Sequence, residues 1–257
     1  MTDVATISSH LDELLQPSRI EDYSGALNGL QMSSDANVTK IAAAVDFSQR
    51  TLDACVDADA NFLIVHHGMF WGGAAAFSGN SFRRLKLLIE KGIAVYSSHL
   101  PLDMHPEIGN NVLLATELGL LPSRGFAHWK GTAIGVAGDS NIPTPDLVER
   151  ASNFASRYGG SVVSTSNCAN RVTKMWGLCT GSGASGETIA EAREKGIDTL
   201  IVGEGAHWTA VAAEDHGIAV IYAGHYATET LGVQAAAKRV SEKFGIPWSF
   251  LSAPTGL

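Results

Sequence analysis

Short apolar runs separated by amphipathic helical segments recur along the whole chain. That alternation constrains the fold more than any other feature, because it is the pattern of an α/β architecture. Runs at 41–45, 62–65 and 93–96 are continuous in aliphatic and aromatic residues and predict buried strands. Helical periodicity through Val4, Ile7, Leu11 and Leu14, and again at 48–59 and 81–91, predicts the covering layers, with Gly92 as a stop. A helix at 107–118 follows Pro106. Near residue 120 the pattern changes, and residues 120–125 read as a junction. Beyond it the sequence predicts strands at 126–137, 161–165, 171–179, 199–202, 218–222 and 248–251. Helices are expected at 145–157, 186–195, 207–215 and 227–244.

One internal echo bears on organisation. Residues 92–99 (GIAVYSSH) resemble 217–225 (GIAVIYAGH), and each follows a strand and a helix. A duplication would give two similar α/β lobes in a pseudo-twofold arrangement, with functional groups at corresponding strand ends between them. Short apolar strands also coincide by chance.

The 257 residues suffice for one large or two small domains with a sizeable core. A formal charge of −8 argues against a nucleic-acid partner, which would need clustered Lys and Arg. Residues 1–32 carry charges throughout and hold no apolar run of the signal-peptide kind. No stretch reaches the ~20 apolar residues of a membrane span, so a cytoplasmic location is expected. Cys55, Cys168 and Cys179 are odd in number and widely spaced, which suits neither a disulfide framework nor a thiolate zinc site. Any metal must then be held by histidines and carboxylates.

Three strand ends deliver such residues. His66-His67 closes the 62–65 run and precedes Gly68, whose freedom would let the second histidine lie on a turn and face the same site as the first. His99-Leu-Pro-Leu-Asp103 follows the next strand, with Pro101 biasing Leu100 towards an extended conformation. His225 and Glu229 stand four apart at the start of the last long helix, on one helical face. The helix dipole there favours Glu229 and a neutral, ligating His225. Taken singly, the three are also compatible with a loop pair, a helix cap and a solvated ion pair. Together they supply more ligands than one structural zinc needs, which points to a dinuclear catalytic site. The donor types suit Zn, Fe, Mn or Ni.

Gly181-Ser182-Gly183-Ala-Ser-Gly186 matches G-x-G-x-x-G, with Glu204 about 20 residues on. It lies in mid-chain without a full dinucleotide-binding half. A backbone amide nest at Gly181, Ser182 and Gly183, holding a substrate phosphate or carboxylate, is the alternative to a plain tight turn.

Val65-His-His-Gly68, Ser98-His-Leu-Pro-Leu-Asp103, His105-Pro-Glu-Ile-Gly-Asn-Asn111, Gly181-Ser-Gly-Ala184 and Gly224-His-Tyr-Ala-Thr-Glu229 resemble, in order, the motifs of the dinuclear-metal-centre family. These are the GTP cyclohydrolase 1 type 2 homologues, or NGG-interacting factor three-like proteins. Asn28-Gly-Leu-Gln31 fits too, and the chain resembles the short bacterial form. It departs at Trp208 and Tyr226, near which the family pattern often has a histidine. The resemblance implies two divalent metal ions per chain. His66 and Asp103 would hold one and His67 and His225 the other, with Glu229 bridging, in a ring-shaped homohexamer. Ligands so late in the chain imply a discontinuous metal-binding lobe, residues 1–123 plus 225–257, and a second lobe, 124–224.

The implied activity is a metal-dependent hydrolase. As a GTP cyclohydrolase it would open the guanine ring at C8 with a metal-bridging hydroxide, acting on a small-molecule, nucleotide-like substrate. Glu204, His207 and His99 are the candidate acid or base groups. The alternative is a nonenzymatic metal-binding or interaction protein of ring-shaped oligomers.

Overall fold

The computed structural model describes residues 2–73 and 75–257. In chain order the elements are α1 (Val4–Leu15), β1 (Gly29–Met32), β2 (Ile41–Asp46), α2 (Gln49–Asp57), β3 (Phe62–His67), α3 (Gly79–Lys91), β4 (Ala94–Ser97), α4 (Leu100–Asp103) and α5 (Asn110–Glu117). There follow β5 (Arg124–Trp129), β6 (Thr132–Pro143), α6 (Thr144–Arg157), β7 (Val163–Ser164), β8 (Val172–Cys179), α7 (Gly186–Glu194), β9 (Thr199–Val202) and α8 (His207–Asp215). The last are β10 (Ala219–Tyr222), α9 (His225–Thr228), α10 (Thr230–Phe244) and β11 (Trp248–Phe250). The fold is mixed α/β with two sheets. The chain divides into two compact units, Met1–Leu102 with Gly232–Ala253 and Asp103–Leu231 with Pro254–Leu257.

Unit one is built on a five-stranded sheet in the order β1-β4-β3-β2-β11. Strands β11, β2, β3 and β4 run parallel, and β1 closes the edge antiparallel to β4. Parallel strands covered on both faces need apolar residues at every position. Accordingly Ile41 to Val45 and Phe62 to Val65 are all buried. Helix α2 starts at Ser48, whose hydroxyl accepts from the Thr51 amide. Tyr96 of β4 donates its hydroxyl hydrogen to Asp12 of α1 at 2.8 Å.

Unit two holds a six-stranded sheet, β5-β6-β8-β9-β10-β7. Strands β8, β9 and β10 are parallel and β7 closes that edge antiparallel to β10, so each sheet has a run of parallel strands, four in unit one and three in unit two, next to an antiparallel edge strand. Side chains alternate across it: Ile201 packs in one cluster with Leu147, Phe154 and Trp176. Its neighbours Leu200 and Val202 pack in another with Phe126, Ile189 and Ala213.

Four local expectations change. Residues 126–137 form no single strand. Lys130 (φ 47°) and Gly131 (φ 83°) take left-handed conformations between β5 and β6, the geometry of a tight hairpin turn. Leu100 is helical rather than extended, because Pro101 falls in the first turn of α4, where a missing N–H costs nothing. The helix expected at 227–244 is two helices, broken at Glu229 (φ −104°, ψ 4°). His67 also ends β3 itself, paired with Asp46, and does not lie on a turn. No helix among the described residues is long and apolar enough to cross a membrane.

Candidate metal centre

The polar residues of both units gather where parallel strands end, the usual position of ligand sites in α/β sheets. In unit one, β3 delivers His66 and His67, both buried, with ring centroids 4.8 Å apart. The residue after the loop of β4 adds His99, also buried, 4.8 Å from His66 and 5.6 Å from His67 by centroid. One ring nitrogen from each of the three lies within 4.8 Å of the other two.

Every ring is held at Nδ1. His66 Nδ1 is 2.9 Å from the Ser98 carbonyl oxygen, and His67 Nδ1 is 2.8 Å from Asp46 Oδ1. His99 Nδ1 is 2.8 Å from Asp22 Oδ1. A carbonyl or carboxylate can only accept, so each Nδ1 carries the proton and Nε2 is the ligand-type atom. Asp22 is itself fixed by Asn28 Nδ2 (2.8 Å) and the Leu100 amide (3.0 Å), while Asn28 Oδ1 accepts from the His99 amide at 2.7 Å. Burial works against the Asp22 carboxylate, but the bonds from His99 and Asn28 outweigh it and hold its pKa below the ordinary value.

Gly68 follows the pair for a steric reason. A Cβ there would collide with the Gln31 amide, which accepts from the Met69 amide and donates to the Ala26 and Leu27 carbonyls. Tyr23 and Trp71 wall the cluster, with the Trp71 centroid 4.5 Å from both His67 and His99.

In unit two the same pattern recurs with carboxylates. His225 Nδ1 is 2.8 Å from Glu204 Oε1, and His225 Nε2 is 3.1 Å from Glu229 Oε2. Burial alone would lower the His225 pKa, but Glu229 and then Glu204 reverse that and raise it to about 9. Set between two carboxylates, the His225 ring holds its proton at neutral pH until a cation displaces it. Asp103 Oδ1 accepts from Asn110 (2.8 Å) and Thr180 (3.4 Å). Asn111 bonds the Asp103 carbonyl and the Thr180 amide.

The glycine turn packs directly on this group. Gly181 (φ 61°) leaves no room for a Cβ, which would strike Glu229, and its amide donates to Thr228 Oγ1 at 3.1 Å. The Ala184 amide is bonded to the Glu204 carbonyl. Ser182 is exposed and Gly183 is buried. His207, the first residue of α8, is exposed and lines a cleft of about 360 Å³ with Glu204 and Tyr222.

Asp22, Asp46 and Thr180 were not singled out from the sequence, and Asn110 only as part of the 105–111 motif. Asp46 was visible as a polar residue closing a buried strand. Asp22, in a loop without periodicity, carried no signal. The donor set suits a divalent cation: several imidazoles offering Nε2, buried carboxylates, and an oxygen partner behind each ring.

These features define an α/β protein with histidine and carboxylate groups of metal-ligand type at its strand ends. The sequence profile of Duf34/NIF3 (NGG1p interacting factor 3) matches residues 2–255, and the chain belongs to that family. It is 43% identical over 251 residues to the GTP cyclohydrolase 1 type 2 homolog of Pyrococcus abyssi, covering 98% of each chain. It is 40% identical over 232 residues to that of Deinococcus radiodurans, covering 90% of this chain and 87% of the other. Among solved structures, protein ybgI, described as of unknown function, superposes with a TM-score of 0.88 at 32% identity over the full length of both.

Proposed function

We propose that this protein is a dinuclear metal-dependent hydrolase in which His66, His67, Asp103, His225 and Glu229 hold two divalent cations. His66 and Asp103 would serve one, His67 and His225 the other, and Glu229 both. The observation that carries this reading is the oxygen partner behind the Nδ1 of each histidine ligand, Ser98 for His66, Asp46 for His67 and Glu204 for His225. Such partners fix the tautomer and turn Nε2 towards a metal. Zn, Fe, Mn and Ni all suit these donors.

When bound, two cations of this kind acidify a water molecule and polarise the bond that it attacks. The chain's own residues supply the rest. His99, oriented by Asp22, is the candidate for accepting and returning a proton. Glu204 positions His225, and His207 with Gly181, Ser182 and Gly183 would meet the substrate. The names of the relatives, GTP cyclohydrolase 1 type 2 homologs, support a nucleotide substrate; GTP would be opened at C8 of its guanine ring, as the family resemblance implies. With that activity go the homohexamer and the cytoplasmic location of the family resemblance.

The test is turnover of GTP and a nucleotide panel by purified protein, with metal content measured in parallel. The expected result is about two metals per chain and hydrolysis that Glu229→Ala abolishes. Fully metallated protein that hydrolyses nothing beyond what Glu229→Ala does would end the hydrolase reading. Protein that takes up no metal after reconstitution would end the metal reading as well.

A further inference from the structure

We propose that a second cleft in unit one, beside Trp71, binds an anionic group attached to a planar ring, with Arg84 as its counter-ion. The cleft measures about 280 Å³ and is lined by Phe47, Met69, Trp71, Phe77, Ser81 and Arg84. It opens directly after His67, since Gly68 and Met69 form part of its wall.

Arg84 is the unusual member. Its guanidinium lies over the Phe47 ring, 5.5 Å from the centroid. Its Nε is buried and has no hydrogen-bond partner, and among the described residues no carboxylate pairs with it. Arg124 and Arg157, by contrast, each meet an acid, Asp139 and Glu117. Buried donors are nearly always satisfied. A planar guanidinium set against an aromatic wall is a fork for carboxylate or phosphate oxygens.

Trp71 supplies the ring-binding element. One part of it contacts His67 and His99 at 4.5 Å between centroids, while 41% of the residue is exposed and faces the cleft. A planar ring stacked on that surface sits next to the proposed metal ligands with its anion turned to Arg84. The volume is at the small end for ligand sites and fits one ring system with its charged substituent. This inference rests on the proposed function only for the substrate class.

Binding of GMP, guanosine and orotate is measured by calorimetry at two salt concentrations, on wild type, Arg84→Gln, Arg84→Lys and Trp71→Leu, with metal content determined on the same samples. GMP carries a phosphate and orotate a carboxylate, so the probe that binds names the anion. Arg84→Gln is expected to weaken the anionic ligand about ten- to hundredfold, to remove its salt dependence, and to leave guanosine unchanged. Trp71→Leu should weaken all binding. Arg84→Lys, which keeps the charge without the fork, should fall between and carries the test if Arg84→Gln does not fold. Affinities that ignore Arg84, or wild-type protein that binds neither anion, would overturn the proposal. Because metal content is read separately, that failure is distinct from failure of the metal centre.

Discussion

Unit one presents its candidate ligands as imidazoles and unit two mainly as carboxylates, although both set them near the ends of parallel strands. The three rings of His66, His67 and His99 form a tight cluster of tilted rings, with the Ser98 carbonyl, Asp46 and Asp22 placed behind them rather than among them. In unit two, His225 is flanked by Glu204 and Glu229 at hydrogen-bond distance. The difference is one of charge. Unit one sets imidazole nitrogens together, whereas unit two places two carboxylates beside its histidine. In the absence of metal, unit two satisfies itself with a proton on His225.

The largest expected effect attacks the charge-bearing side. Glu229→Ala should lower metal affinity by more than about 100-fold, beyond what outer partners contribute, as read by competition with a chelator. A smaller loss would mean that the imidazoles of unit one suffice. Next come the groups behind the rings. Asp46→Ala in unit one and Glu204→Ala in unit two should each cost about 10–100-fold in metal affinity. Equal losses would show that both units orient their histidines in the same way; a loss confined to one would locate the demanding half.

The protonation of His225 gives a third contrast. Its pKa is raised from 6.5 to about 9 in the metal-free protein. The stabilisation from its ion pair is therefore complete below pH 6.5 and is lost as pH rises through 9. Metal must displace that proton, so affinity should climb by up to about tenfold per pH unit between 7 and 9 and then level off. Potentiometric proton release on metal addition checks it, and release that is absent at pH 7.5 would contradict it. The smallest effect compares two helix caps. Ser48→Ala and Ser185→Ala each remove the hydroxyl that accepts from the third helical amide, and each should cost about 1 kcal/mol in urea unfolding.

Much of this was legible before any coordinates. Buried parallel strands announce themselves by unbroken apolar runs, which is why 62–65 and 199–202 were found. Candidate ligands stood out because they were titratable residues at the ends of such runs. What escaped was set by conformation at single residues: the left-handed pair Lys130-Gly131 that folds one expected strand into a hairpin, and the break at Glu229 that divides the last helix. Strand β1 escaped because an edge strand of four residues, three of them not fully buried, lacks a strong pattern. The partners of the rings were hidden for another reason. Asp22 reaches His99 across 77 residues, and sequence spacing holds no record of such a meeting.

The order of strands in unit one also governs how the chain is made. Strand β11 pairs with β2, yet some 200 residues and the whole sheet of unit two are synthesised between them. At ordinary translation rates of about 5–20 residues per second, that stretch takes roughly 10–40 s to emerge. During that interval the backbone of β2 has an open edge able to recruit strands from other nascent chains. Unit one is thus incomplete until β11 has emerged, and that late strand is the seal on an edge left open by the strands made first.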